Sequence, residues 1–405
     1  FKRIELNMKY AKQLQNLGTE TAFAVSAQAR QWSEKGNKVY PFHLGDINLP
    51  TPKNIVEATV KSIKDGLTGY CPSEGIFPLR EALANDVGSK RGVLYEPDNV
   101  AVQPGGKPTI GKFIASVMNP GDEILYPNPG YPIYESQIEY QGGRAVPYSY
   151  LQNENGFEID LDKLKDSISS NTVALIYNNY QNPISAESSA EEMHAIADIA
   201  IKNDLWVLSD EAYFEIVYEG EARSIVNIPG MLERTVILYT FSKKFAMTGW
   251  RVGGSIGPKE IISRIAKLNV NAESCTTHFI QNAMVEALCG DQSGAKEILN
   301  TLQKRRDAAV LGLNAIDGID VATPRTTFYL FPNITKVMQR KGIKKLDDLQ
   351  RGALENSNVS FCTREHFGRP QNDESEYFIR LAYSGISTSD IREGLYSLKQ
   401  YFESS

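Results

Sequence analysis

The chain has 405 residues, 41% of them hydrophobic and 23% charged, with a formal net charge of −6 and a pI near 5.5. This is the composition of a folded globular protein long enough for one large domain and a smaller one, and the acid excess argues against a nucleic acid or an anionic membrane as partner, since each selects a basic face. No apolar run approaches the roughly 20 residues of a membrane helix, and the four cysteines and four histidines are scattered without metal-ligand or catalytic-triad spacing.

Without a C-x-x-C pair, Cys71, Cys275, Cys289 and Cys362 suggest neither a disulfide framework nor a zinc site. A reducing, cytoplasmic location is therefore expected. The histidines are read as surface or core residues. The sequence opens FKRIELNMKY without a methionine, which leaves room for residues upstream.

Residues 1–50 form an N-terminal arm, with a helix over 21–35 and an extended piece over 39–49 that contains Gly45. Pro52 opens a helix to Lys64 with Gly66 as its stop, and the loop LTGYCPSEG leads to a helix over 77–89. The run 100–103 reads as a strand, followed by Gly105-Gly106-Lys107 and a helix to Met118; a strand over 123–126 and a helix over 132–140 come next. Three further apolar strands lie at 172–177, 206–209 and 236–241, with a helix over 190–202 between the first two. Such alternation predicts a mostly parallel sheet covered by helices on both faces, in which ligands bind beyond the carboxyl ends of the strands. From 261 to 316 the pattern is helical, 328–331 and 377–382 alternate as strands, and a helix over 389–402 follows. The expected division is an arm contributing to the smaller domain over 1–50, a large domain over 51–290 and a small α+β domain over 291–405.

The β-branched and aromatic run 236–241 stops abruptly at Ser242-Lys243. A lysine at the carboxyl end of a buried strand is poorly solvated, so its neutral, nucleophilic amine becomes accessible. Ser242 and Arg251 flank it with a hydroxyl and a fork-shaped cation, the groups a phosphate ester recruits. An amine poised for a Schiff base beside a phosphate site suggests pyridoxal 5′-phosphate (PLP). The strand over 206–209 runs into Asp210, two residues before Ala212-Tyr213, and the strand over 172–177 into NNYQNP with Asn182. Asp210 is then placed to pair with a protonated pyridine nitrogen, and Tyr213 and Asn182 to donate to the phenolic oxygen. Gly105-Gly106-Lys107, between a strand and a helix start, is a third phosphate element.

Quoted as they stand, GYCPSEGIFPLREALA, QPGGK, PNPGYPIY, NNYQNP, SDEAYFEIVY, TFSKKFAMTGWRVG and YFIRLAYS carry a resemblance over essentially the whole length. The chain resembles the class I/II, fold-type I PLP-dependent aminotransferases. That resemblance implies a large domain with a mostly parallel seven-stranded sheet and a small α+β C-terminal domain. It implies a homodimer, with an amino acid and a 2-oxo acid as small-molecule substrates. By the same resemblance Lys243, not Lys244, holds PLP and moves the proton between Cα and C4′, while Asp210 holds the pyridinium. Tyr213 and Asn182 meet the phenolic oxygen, Tyr131 stacks on the ring, and Gly106, Lys107, Ser242 and Arg251 bind the phosphate. Arg380, helped by the Gly45 backbone, clamps the substrate carboxylate. Tyr70 is similar to the tyrosine that reaches the neighbouring subunit's cofactor phosphate.

Three stretches depart from the family pattern. Ile184-Ser185 follows Asn182-Pro183 where Thr-Gly is usual, Thr326-Thr327 stands for the glycine before the small-domain aromatic, and FCTREHFG replaces a Pro-Gly turn. The last two lie on the substrate side, so the side-chain pocket is expected to differ from that of a standard aspartate enzyme. Arg364, Arg325 and Arg30 are candidates for a second cation; an aromatic or neutral side chain is the alternative. The expected reaction is ping-pong transamination, with C–S β-elimination on the same scaffold as the alternative. A non-catalytic PLP-binding regulator is a remoter one, disfavoured because no DNA-binding segment is seen.

Overall fold

The computed structural model describes residues 9–18 and 21–404, so residues 1–8, 19 and 20 of the expected arm lie outside the described residues. Helices α1 (Ala22–Glu34), α2 (Lys53–Lys64) and α3 (Phe77–Arg91) form within two residues of the expected bounds, α2 between the proline and glycine that signal its ends. Six strands then alternate with helices: β1 (Val100–Gln103), α4 (Lys107–Val117), β2 (Glu123–Pro127), α5 (Ile133–Tyr140), β3 (Arg144–Tyr148), β4 (Thr172–Tyr177), α6 (Ala190–Lys202), β5 (Trp206–Asp210) and β6 (Thr235–Thr240). A seventh, β7 (Gly253–Ile256), completes one sheet in the order β1-β7-β6-β5-β4-β2-β3. Neighbours from β6 to β3 are parallel, whereas β7 runs against both β1 and β6.

Both faces of the sheet are buried, which is why its strands read as continuous apolar runs rather than as alternation. On one face Ile110, Phe113 and Ile114 of α4 pack with Ile124, Ile176, Leu208 and Leu238, joined by Ile261 and Ile265 of α7 (Lys259–Ala272). The opposite face packs Leu79, Leu83 and Val87 of α3 and Met284 of α8 (His278–Cys289) against Val102 and Ile237. On that same face Ile196 and Ala200 of α6 cover Leu175 and Val207. Each fully buried Ile or Leu contributes about 1.5–3 kcal/mol before the entropy of ordering is counted.

Beyond α8, the long helix α9 (Ser293–Asn314) packs on α10 (Thr388–Glu403). Beside them lies an antiparallel sheet in the order β8 (Tyr329–Leu330), β10 (Ile379–Ala382), β9 (Cys362–Thr363). The arm is tied in by pairing of Tyr40–Pro41 with Val359–Ser360, and Phe42 and Ile47 share a core with Leu313, Phe361 and Leu381. FCTREHFG contains β9 and a single 3-10 turn, Arg364–His366.

Candidate active site

The carboxyl ends of β1, β4, β5 and β6, the amino end of β7, the arm and β10 meet at one cavity of about 610 Å³. All the expected site residues except Tyr70 border it: Gly45, Gly106, Lys107, Tyr131, Asn182, Asp210, Tyr213, Ser242, Lys243, Arg251 and Arg380. Tyr70 is 88% exposed on the loop after α2 and does not reach the cavity of its own chain.

Asp210 is the last residue of β5 and is buried. Its Oδ2 accepts from the Tyr134 hydroxyl at 2.6 Å and its Oδ1 from the Ala212 N–H at 3.1 Å, while its carbonyl accepts from Asn178 Nδ2 at 2.9 Å. Burial pushes its pKa up to about 6 against the pull of the Tyr134 and Ala212 hydrogen bonds. Just past β6, Lys243 Nζ donates to the Gly45 carbonyl at 3.1 Å and lies 5.9 Å and 5.6 Å from the Tyr213 and Phe328 ring centres. Lys244 turns the other way and pairs with Glu215 at 2.6 Å, leaving the cavity to the first lysine. The Tyr213 hydroxyl lies 2.7 Å from that of Tyr329; burial and this neighbour hold its pKa well above the ordinary phenol value, so it is a neutral O–H.

At one end of the cavity the turn after β1 makes an anion cradle. Gly105 has φ +102°, and a Cβ there would run into the Arg251 guanidinium. The glycine therefore lets the arginine and the first N–H groups of α4 share one spot, as binding of an anion at a helix start requires. Arg251, in the left-handed conformation two residues before β7, donates from Nη1 to the Thr248 carbonyl at 2.7 Å. Ser242 is buried and accepts from the Thr240 hydroxyl at 2.9 Å.

At the other end, Arg380 of β10 donates from Nη1 to Asn182 Oδ1 at 3.1 Å and from Nη2 to the His43 carbonyl at 2.6 Å. The Tyr329 and Phe367 rings each lie 4.6 Å from its guanidinium carbon. Its Nε is buried and has no partner among the described residues. A Cβ on Gly45 would collide with the Tyr329 hydroxyl, so glycine here lets that side chain lie against the arm.

The structure corrects two expectations. None of the candidate second cations borders the cavity: Arg364 is held by Asn128 at 2.7 Å and Glu374 at 2.6 Å, Arg325 pairs with Glu187 at 3.0 Å, and Arg30 is exposed on α1. His366, read as surface or core, borders the cavity with its Nδ1 accepting from the Thr363 N–H at 3.1 Å, and burial and Arg380 lower its pKa. His43 is buried, its pKa pushed down to about 4 by burial and by Arg380.

Sequence reasoning also missed Tyr134, Asn178, Tyr329 and Phe367. The first two sit inside the quoted PNPGYPIY and NNYQNP motifs, whose spacing was the available signal. The described residues contain no group of acidic, histidine or cysteine side chains suited to a metal ion and no helix long and apolar enough to cross a membrane, and all four cysteines are free.

The cavity thus has donors for an anion at one end, a carboxylate and an amine at its centre, and an arginine at the other. Residues 38–398 match the family model for aminotransferase class I and II. A probable aspartate/prephenate aminotransferase of Aquifex aeolicus is 32% identical over 400 residues, covering 97% of this chain and 98% of the relative. An asparagine–oxo-acid transaminase of Streptococcus mutans is 30% identical over 400 residues, covering 98% and 99%. Among solved structures, the aspartate aminotransferase of Thermus thermophilus with maleate superposes with a TM-score of 0.89 at 27% identity, covering 97% of this chain and all of that one. Fold, site and relatives agree: this chain belongs to the class I and II aminotransferases and is an enzyme that moves an amino group between an amino acid and a 2-oxo acid.

Proposed function

We propose that the cavity holds PLP through Lys243 and that transfer runs by a ping-pong cycle, the 2-oxo acid product leaving before the second substrate enters. One observation carries this reading: Lys243 and Asp210 face the same cavity from neighbouring strand ends, between an anion cradle and a buried arginine. The residues fit the cofactor. Gly105 leaves the cradle open for an anion, and the buried Asp210 carboxylate borders the same cavity as the Lys243 amine, as a ring with a basic nitrogen and an aldehyde requires. PLP supplies an aldehyde for the amine and a ring that accepts electrons from Cα.

Each side chain has a task there. The N–H groups of Gly106 and Lys107, with Ser242 and Arg251, hold the phosphate; Asp210 holds the ring nitrogen; Tyr131 covers the ring. Asn182 turns its Oδ1 to Arg380, which directs its Nδ2, with the neutral Tyr213 hydroxyl, to the phenolic oxygen. Arg380 orients the substrate carboxylate bidentately, and Lys243 Nζ carries the proton between the two carbon atoms.

We also infer a homodimer in which the partner's Tyr70 completes each site. The support is an exposed apolar stripe on α2, Val56, Val60 and Ile63, leading to the exposed Tyr70. The division at residues 50 and 290, with the arm joining the smaller domain, is kept because the arm shares its core with β8 and β10. A cytoplasmic location is kept on the four free thiols.

The test is the visible absorbance of the holoenzyme as acidic, amide, aromatic and aliphatic amino acids are added singly, with products identified. Conversion of the cofactor band with release of the matching 2-oxo acid is expected for at least one class. A band that persists while ammonia or a thiol appears would refute transfer in favour of elimination.

A further inference from the structure

We infer that Ser185 and Thr327 form a hydroxyl clamp that positions Tyr329, and through it Tyr213 and Arg380, for binding of the amino acid. The inference rests on the reading of Arg380 as carboxylate clamp and Tyr213 as donor to the cofactor.

Both residues occupy left-handed backbone, with φ +57° at Ser185 and +62° at Thr327. Side chains with a Cβ rarely adopt that region, whereas glycine adopts it freely. Two strained positions in contact call for a compensating interaction, and the side chains make one with each other. Their hydroxyl oxygens are 2.6 Å apart.

The protons can be assigned. Ser185 Oγ donates to the Tyr329 carbonyl at 2.8 Å, and the Tyr329 N–H donates to Thr327 Oγ1 at 3.2 Å. The Thr327 hydroxyl must then donate to Ser185 Oγ, so each donor in the ring has its own acceptor. Thr327 is itself fully buried and anchored: its N–H donates to the Ile216 carbonyl at 3.0 Å, and its carbonyl accepts from the Tyr383 hydroxyl at 3.2 Å. On the other side the Ser185 N–H donates to the Gln181 carbonyl at 2.8 Å, one residue before Asn182. The clamp thus joins the Asn182 loop to the start of β8.

What it holds is the backbone of Tyr329. That residue's hydroxyl meets Tyr213 at 2.7 Å, its ring lies against Arg380, and it fills the space beside Gly45. A small displacement of β8 is therefore felt at both the carboxylate and the cofactor ends of the substrate site. Ser185 and Thr327 do not border the 610 Å³ cavity, which makes them positioning residues rather than catalytic ones.

The experiment compares holoenzyme carrying S185A, T327A, both together, T327S and T327G. With either alanine, the KM for the amino-acid donor rises about tenfold while kcat falls less than threefold, and the pH midpoint of the cofactor's visible band moves. Tenfold corresponds to about 1.4 kcal/mol, the size of one hydrogen bond. The double variant is no worse than the worse single, T327S restores both readouts, and T327G, which relieves the backbone but lacks the hydroxyl, shows the alanine defect. Native KM and pH midpoint in folded T327A and S185A would overturn the inference, as would native behaviour of T327G or multiplying effects in the double variant. If T327A is insoluble, S185A and S185G decide, because Ser185 is only half-buried in a loop. The native enzyme run in parallel separates the two readings: no transfer by it refutes the function, whereas transfer by it with unchanged variants refutes the clamp alone.

Discussion

Tyr134→Phe removes one oxygen from a fully buried residue and leaves its ring packing in place. The lost contact is the 2.6 Å hydrogen bond to Asp210 Oδ2. A hydrogen bond to a charged acceptor is worth about 1.5–3 kcal/mol. At about 1.4 kcal/mol per decade this shifts the proton equilibrium of Asp210 tenfold to hundredfold toward the acid. In the native chain burial already pushes the pKa of Asp210 up to about 6, so at pH 7 roughly nine-tenths of the molecules carry the carboxylate. In the variant half or fewer do. If only the carboxylate pairs with the ring nitrogen, apparent affinity for PLP falls by about two- to tenfold at pH 7 and recovers toward pH 9. The assay is titration of cofactor-free protein with PLP from pH 6 to 9, followed by visible absorbance. A folded Tyr134→Phe protein with native affinity and a native pH profile would refute the link between Tyr134, Asp210 and the cofactor.

Other perturbations follow from the same geometry. Arg380→Ala breaks a buried charge pair with the substrate, worth about 3–5 kcal/mol, so steady-state kinetics should show kcat/KM reduced by about 10²–10⁴-fold; Arg380→Lys, without the planar fork, should not restore it. Gly105→Ala forces a side chain into φ +102° and against Arg251, at a strain of about 1–3 kcal/mol, and equilibrium dialysis should show weakened PLP binding. Asp210 also sets a pH dependence of stability in the cofactor-free protein. Its folded pKa of about 6 lies above its ordinary 3.8, so the folded state favours the protonated form. Stability relative to Asp210→Asn is therefore greatest below about pH 3.8 and falls as pH rises through 6, by about 3 kcal/mol in all; a difference that grows with pH in denaturant titrations contradicts it. For the proposed dimer, mixing inactive Lys243→Ala with Tyr70→Phe, weakened by the loss of one phosphate hydrogen bond, should give more activity than either alone, through hybrids that keep one native site.

Where the sequence was legible, the reason is local. β6 and β5 are uninterrupted apolar runs that end at a single polar break, so Lys243 and Asp210 announce both themselves and the edge they share. The four residues of β7 include two glycines and carry no periodicity, so the strand that delivers Arg251 was invisible without its neighbours. Two of the arginines proposed as a second cation, Arg364 and Arg325, failed for a different reason. Their acidic partners lie 10 residues away at Glu374 and 138 away at Glu187, and only the fold brings them together. Tyr134 was hidden inside a recognised motif, because a hydroxyl's target is decided by where α5 sets it relative to β5. His366 and Tyr329 come from segments whose sequence departs from the family, where resemblance gives least help.

The most direct measurement is borohydride reduction of the PLP-loaded protein followed by peptide mass spectrometry, since reduction fixes the cofactor to whichever amine holds it. The account predicts pyridoxyl label on Lys243 alone, lost in Lys243→Ala and retained in Lys244→Ala. Label on Lys244 or another lysine in the native protein would contradict it.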